Sequence, residues 1–387
     1  LFVLKKILAV TGIRSEYFIL QPVFEEIVKR TDLSLKVVVT GTHLSPLYGN
    51  THQLVEQDGF ETIPLETLLS SDRLSGRSKS LGIQIMGLTD IAAREKPDWL
   101  LVLGDREESL ATAAVGAYMN IPVAHICGGD RVVGNIDDSV RHAVTKLAHL
   151  HFPTTQENGE RILKMGEEPW RVKVVGNPAL DSIRKQPYLS YEEINNRLGT
   201  DLQENEPFIL LIKHPLSSEV EKAQEQMAVT LQAVAELGIK TVITYPNSDA
   251  GSFGMIAEIE RYTEKYSFMK AFKTLPRDIF VNLQRNAALL LGNSSCGLLE
   301  APYLKLPVVN VGNRQKQRQH AENILFVPHD KEQIKAAINK ALYDEAFKKL
   351  CANCSNPYGD GYSGERIARI IAETEINEQL LNKQIVY

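Results

Sequence analysis

Between residues 125 and 142 the chain concentrates groups that can move protons and hold anions. His125-Ile-Cys-Gly-Gly-Asp130 follows a short apolar run, and Asn135-Ile-Asp-Asp-Ser-Val-Arg-His142 opens the segment after it. Carboxylates, an arginine and a histidine in so short a span suit acid–base work on a sugar phosphate. Asp137 or Asp138 can equally cap the helix that begins there. Upstream, Gly104-Asp105-Arg106-Glu107-Glu108 ends another apolar run. Asp105 either faces a ligand there or caps the next helix. Thr11-Gly12-Ile13-Arg14 ends the first run and lacks a GxGxxG fingerprint, which disfavours a nicotinamide dinucleotide site. Arg14 is placed either to fork onto a phosphate or to lie in solvent on a turn.

The second half carries a different set. Lys213-His214-Pro215 ends one apolar run, Tyr245-Pro-Asn-Ser-Asp-Ala-Gly251 a second, and Gly292-Asn-Ser-Ser-Cys-Gly-Leu-Leu-Glu300 a third. The last combines two hydroxyls and a glycine where a helix should start, an arrangement that favours anions. Glu300, further along, can accept the two hydroxyls of a ribose. His214 is either structural or functional.

These segments need strands that end where they begin. Lys6–Val10, Leu35–Thr40, Trp99–Leu103, Val123–Ile126 and Val172–Val175 read as buried parallel strands: short, continuous, and rich in Val, Leu and Ile. Helical patterns fill the intervals at Tyr17–Val28, Glu107–Met119 and Asp138–Ala148. A polar stretch over Pro178–Glu206 reads as a linker with a helix of its own. Alternation then restarts with strands at Phe208–Ile212, Thr241–Thr244, Ala287–Leu291 and Val308–Val311. Helices are expected at Asp278–Arg285 and Gln333–Tyr343, with one long final helix over Gly364–Leu381. Two successive doubly wound α/β units are the simplest architecture, with ligands beyond the carboxyl ends of the strands.

The 387 residues suffice for two domains with proper cores. A formal charge of -5 and no long Lys/Arg run disfavour nucleic acid as a main ligand. No stretch approaches the roughly 20 apolar residues of a membrane span, and the N-terminal apolar run, broken by two lysines, reads as a strand and not an export signal. Cys351 and Cys354 form a CxxC without a second ligand pair, and read as ordinary thiols near a helix end. A reduced, cytoplasmic protein fits this cysteine usage.

Taken in order, GIRSEY at 12–17, GDR at 104–106, IDDSVRHAVTKLAH at 136–149, KHP at 213–215, YPNSDAGS at 245–252, GNSSCG at 292–297, GNRQ at 312–315, AEN at 321–323 and YGDG at 358–361 make the chain resemble, over nearly its whole length, the hydrolysing UDP-N-acetylglucosamine 2-epimerases of sialic-acid and legionaminic-acid biosynthesis. The resemblance implies an α/β fold of two Rossmann-like domains facing a central cleft, of the glycosyltransferase-B type. Residues 1–178 would form the catalytic and sugar side, with 366–387 packing back on it, and 179–365 the UDP-binding domain. It implies no metal or nicotinamide cofactor, a UDP-sugar substrate, and a homodimer or homotetramer. The implied reaction eliminates UDP across C1 and C2, giving a 2-acetamidoglycal, and then adds water to yield the free 2-epimeric sugar. Asp105 and Asp137 match the family's catalytic aspartates and His214 its active-site histidine. Arg14, Ser294, Ser295, Glu300 and Arg314 match UDP-binding positions. Arg106, Asn247, Asp249 and Gly297 are expected to help bind phosphates or sugar. One departure stands out. The sialic-acid members carry glutamate where this chain has Cys127, and one extra residue here precedes the IDD. The legionaminic-acid members also lack that glutamate and share the longer spacing. The departure marks a different substrate, a 2,4-diacetamido-6-deoxy sugar, or a transfer of the acid–base role from position 127 to Asp130, or a loss of activity.

Overall fold

The computed structural model describes residues 4–69, 74–131, 136–247, 251–316 and 318–386. The chain divides into two compact units, Leu1–Arg184 with Tyr358–Tyr387, and Lys185–Pro357.

The first unit contains strands β1 (Lys5–Thr11), β2 (Leu33–Thr40), β3 (Thr62–Leu65), β4 (Trp99–Leu103), β5 (Val123–Ile126) and β6 (Leu150–Phe152). They form one parallel sheet in the order β3-β2-β1-β4-β5-β6. Helices α1 (Arg14–Val28), α2 (His52–Gln57), α3 (Leu74–Glu95), α4 (Glu107–Met119), α5 (Ile136–Leu147), α6 (Gln156–Lys164) and α7 (Ala179–Lys185) alternate with them. Successive residues of β1 serve opposite faces. Ile7 and Ala9 pack with Tyr17, Leu20 and Phe24 of α1, while Leu8 and Val10 pack with Leu88 and Ile91 of α3 and Ala111 and Val115 of α4. A strand covered on both sides has no polar alternation, which is why these runs read as continuously apolar. Each such side chain contributes about 1.5–3 kcal/mol on burial.

The second unit repeats the plan. Strands β7 (Phe208–Ile212), β8 (Lys240–Thr244), β9 (Met269–Phe272), β10 (Leu289–Gly292), β11 (Val308–Val311) and β12 (Ile324–Val327) form a parallel sheet in the order β12-β11-β10-β7-β8-β9. Helices α8 (Tyr191–Leu198), α9 (Ala223–Leu237), α10 (Ser252–Lys265), α11 (Arg277–Asn286), α12 (Cys296–Leu299), α13 (Lys331–Tyr343) and α14 (Glu345–Asn353) complete it. Read from β9 to β12, its strand order is that of the first sheet, so both units are Rossmann-like. Each has its order reversal between the first and fourth strands, where open α/β sheets bind ligands.

Four expectations are corrected. Val172–Val175 is not a strand: only Val172 bridges, to His151 of β6. The strand expected from Ala287 begins at Leu289. The polar stretch after Pro178 holds two helices, α7 and α8. The single final helix is two, α15 (Ser363–Glu373) and α16 (Glu378–Leu381), because the Asn377 side chain accepts from Leu380 N and starts a new helix. Buried Asp181 of α7 accepts from Ser363 N (3.0 Å) and Gly364 N (2.7 Å), anchoring the N-terminal turn of α15. Ile367 and Ile371 of α15 then join the core beneath α1. All four cysteines are free and buried, Cys351 in the last turn of α14 and Cys354 just past it. Among the described residues no helix is long and apolar enough to cross a membrane.

Candidate functional site

In the first unit the motif-bearing turns follow β1, β4 and β5, with β1 and β4 flanking the order reversal. The turn after β1 and the start of α4 fit closely: a Cβ at Gly12 would lie 2.0 Å from Glu108 Oε1. Glu16 and Glu108 are both buried here. Burial raises both carboxyls above their usual range; Glu108 adds to this at Glu16, and the Arg106 guanidinium opposes it at Glu108. Arg106 Nε donates to Glu108 Oε2 at 3.2 Å, so this arginine is held from behind by carboxylates. Arg14 is exposed and lies over the Phe18 ring, 5.2 Å from its centroid.

Asp105 does not cap α4, whose N-cap residue is Arg106. It pairs instead with Arg141, one turn along α5 from Asp137. Arg141 is buried, also donates to Cys127 O at 2.8 Å, and lies 3.9 Å from Asp130 Oδ2. The α5 helix thus brings its arginine to the turns after both β4 and β5. Burial raises the Asp105 carboxyl; Arg141 opposes this and Asp137 adds to it. Asp137 and Asp138 sit in the first turn of α5, and Asp138 is 3.8 Å from His142 Nε2. Asp130 accepts from Asn158 Nδ2 of α6 at 2.7 Å and is about one quarter exposed, at 28% of its side chain. Cys127 is different. It belongs to the apolar core, has a left-handed backbone (φ 60°), and its thiol is pushed well above the usual range by burial first and by Asp130. It is a thiol, not a thiolate, at neutral pH.

The second unit ties three of its motifs together through Asn293, which follows β10. Asn293 Oδ1 accepts from His214 N (2.7 Å), and its Nδ2 donates to His214 O (2.8 Å). Its own carbonyl accepts from Arg314 Nη1 (3.2 Å) and Gln315 Nε2 (3.0 Å). Asn247 N donates to His214 Nδ1 at 3.0 Å, so neutral His214 carries its hydrogen on Nε2. Ser294 Oγ accepts from Cys296 Sγ, and Ser295 is the N-cap residue of α12 without a side-chain cap bond. Gly297 lies tightly against β11, where a Cβ would stand 3.1 Å from Val308 Cγ1. Glu300 accepts from Gln284 Nε2 (2.7 Å) and is 3.3 Å from Arg277 Nη2. Asp249 lies outside the described residues. Behind His214, Lys213 is fully buried and donates to Gln226 O (2.6 Å) and Thr230 Oγ1 (2.7 Å), which fixes the end of β7 to α9. Burial lowers its pKa to about 7.

Gly292 is the hinge of this arrangement. Its φ is 135°, and a Cβ there would fall 2.0 Å from Ile212 O on the paired strand. G292A is expected to destabilise the second unit by about 1–3 kcal/mol and to displace Asn293 from His214. Urea unfolding checks this; a variant as stable as wild type would contradict it.

The partners the motifs did not single out are Glu16, Glu108, Asn158, Arg277 and Gln284. Glu108 stood in plain view in GDREE, and Glu16 in GIRSEY. Asn158, Arg277 and Gln284 lie on helices without any local signature, and only the tertiary fold brings them in. Arg141 was already in view in the 125–142 cluster, and its four-residue offset from Asp137 places both on one helix face.

The sequence profile of the UDP-N-acetylglucosamine 2-epimerase family matches residues 25–372, and the chain belongs to that family. It is an enzyme of the nucleotide-sugar 2-epimerase type. It is 35% identical, over 99% of this chain and 100% of the relative, to the hydrolysing UDP-N,N'-diacetylbacillosamine 2-epimerase of Legionella pneumophila. It is 33% identical, over 89% of this chain and 87% of the relative, to the hydrolysing GDP/UDP-N,N'-diacetylbacillosamine 2-epimerase of Campylobacter jejuni. In fold it is similar to the UDP-GlcNAc 2-epimerase of Neisseria meningitidis solved with UDP-GlcNAc, with a TM-score of 0.77 at 21% identity over 95% of this chain and 100% of that one.

Proposed function

We propose that this enzyme is a hydrolysing 2-epimerase. It converts a UDP-linked 2-acetamido sugar to UDP and the free 2-epimeric sugar, by elimination of UDP and addition of water to the resulting glycal. The 2,4-diacetamido-2,4,6-trideoxy sugar is its preferred substrate, ahead of UDP-N-acetylglucosamine. The observation that carries this reading is the Asp105–Arg141–Asp130 constellation around a Cys127 that is buried and protonated. The hydrolysing relatives named for N,N'-diacetylbacillosamine support the choice of sugar.

The C2 proton of such a sugar is not adjacent to a carbonyl and is weakly acidic. Early C1–O cleavage builds oxocarbenium character and makes it easier to remove. Asp105 and Asp137 provide negative charge for that cation and for the proton transfers, and Asp130 takes the acid–base position that Cys127 cannot fill. His214, Ser294, Ser295 and Arg314 bind the diphosphate and Glu300 the ribose; hydrogen bonds and positive charge at the departing phosphate lower the barrier. Arg14 and Arg106 are further sources of positive charge for the phosphates.

Two variants separate the acid–base candidates. C127A is expected to keep turnover within about threefold, and D130N to lose about 10²-fold, in steady-state UDP release. A large loss in C127A with none in D130N would reverse the assignment. The substrate class is tested by measuring UDP release side by side from UDP-N-acetylglucosamine and its 2,4-diacetamido-2,4,6-trideoxy analogue. Faster release from the analogue supports the reading. Faster release from UDP-N-acetylglucosamine moves the enzyme to the ManNAc-producing branch, and release from neither removes the hydrolytic assignment.

A further inference from the structure

At the end of α5 opposite the acidic turn lies a buried ion cluster that the reaction does not touch. Glu167 has a fully enclosed side chain and meets Lys146 Nζ of α5 (2.8 Å), His151 Nε2 of β6 (3.1 Å) and Lys383 Nζ of the C-terminal tail (2.7 Å). Lys383 also donates to three carbonyls at the C-terminal end of α5: Thr145 O (2.9 Å), Lys146 O (2.7 Å) and Ala148 O (2.8 Å). These are groups a helix cannot satisfy internally, and a cation there complements the helix dipole. The tail is itself clamped. Arg171, fully buried, donates to Gln379 O (2.7 Å) and Leu380 O (2.8 Å), and Val386 N donates to Gly166 O (3.0 Å).

The geometry points to Lys383 as a positioning residue for the Arg141–Asp105 pair. The connection is a short series of hydrogen bonds. Lys383 Nζ holds Thr145 O, Thr145 Oγ1 donates to Arg141 O (3.1 Å), and Arg141 reaches Asp105 and Cys127 O. Thr145 and Arg141 are both buried, so α5 has little freedom to absorb a shift at one end without moving the other. The tail, more than 230 residues downstream in sequence, thereby sets where the arginine of α5 meets the turns after β4 and β5. This rests on the catalytic reading of Asp105 above.

The test uses the full chain and UDP release from whichever of the two UDP-sugars is turned over. K383M removes the cation and all three donors at similar volume; K383R keeps the cation. The expected result is a kcat about tenfold to a hundredfold lower in K383M, the cost of a small misplacement of a reacting group. KM and the Kd for UDP should stay within about twofold, at a temperature where circular dichroism shows the variant fully folded, and K383R should recover most of the kcat. A loss of thermal stability with wild-type kcat would overturn the proposal and leave Lys383 purely structural, as would a kcat loss that K383R does not relieve at all. Where K383M does not fold, K383Q is read in its place at low temperature, with the same two outcomes. The D105N variant tests Asp105 directly. Wild-type turnover in D105N would remove the catalytic reading itself, whereas wild-type kcat in K383M beside an inactive D105N would remove only the positioning role.

Discussion

D105N is expected to lower kcat for UDP release about 10²- to 10⁴-fold while leaving UDP affinity nearly unchanged, with a lowered melting temperature because buried Arg141 loses the charge of its partner. Asp105 sits at the end of a central strand, next to the order reversal of the first sheet, and its carboxylate is paired with Arg141. Burial and Asp137 raise the carboxyl above its usual range, and Arg141 opposes the rise. Asparagine preserves the shape and an oxygen that can accept from Arg141, so the variant still folds at a reduced temperature even though the buried arginine loses its counter-charge. The negative charge and the exchangeable proton are lost altogether. UDP affinity holds because Asp105 is not among its proposed contacts, which are His214, Ser294, Ser295, Glu300 and Arg314. Kinetics beside UDP calorimetry check both halves of the expectation; comparable losses in kcat and UDP affinity would point to a misfolded site and not to missing chemistry.

E167Q is expected to destabilise the first unit by about 3 kcal/mol at neutral pH. Breaking a buried ion pair by neutralising one partner leaves the other charge uncompensated, and here two lysines are left: Lys383, mostly buried, and Lys146, about a third exposed. The desolvation of Glu167 acts to raise its carboxyl, but hydrogen bonds from His151, Lys146 and Lys383 outweigh it and hold the pKa at about 2. Because the folded value lies below the unfolded one, this stabilisation is fully present above about pH 4.5 and is lost as pH falls towards 2. Wild type and E167Q should therefore differ most in urea midpoint near neutrality and converge in acid. A difference that grows as pH falls would contradict the assignment.

The central strands were legible in the sequence because they are covered on both faces and their residues are mostly apolar. The four strands that were missed, β3, β6, β9 and β12, are the four sheet edges. They have only three or four residues each, and all but β6 are partly exposed. β3 also contains Pro64, a residue that sheets tolerate at an edge. Val172–Val175 imitates a buried strand in composition, yet it pairs at a single residue. The turns that carry the candidate residues were legible because they follow strands, as at Asp105 and His214. The site was not legible where a helix supplies a partner from elsewhere in the chain, as Asn158 does for Asp130 and Arg277 for Glu300. The tail shows the same limit: Lys383 bears on α5 across more than 230 residues, and no local pattern announces it.

The most direct test of hydrolytic epimerisation is to run the reaction in D₂O with the 2,4-diacetamido-2,4,6-trideoxy UDP-sugar and follow ¹H and ³¹P NMR together. Elimination followed by water addition predicts free UDP and a free sugar inverted at C2, formed in equal amounts, with deuterium at C2 because the proton returns from solvent. A 2-epimer still attached to UDP would contradict the account, and so would a free sugar that retains both its C2 configuration and its C2 proton.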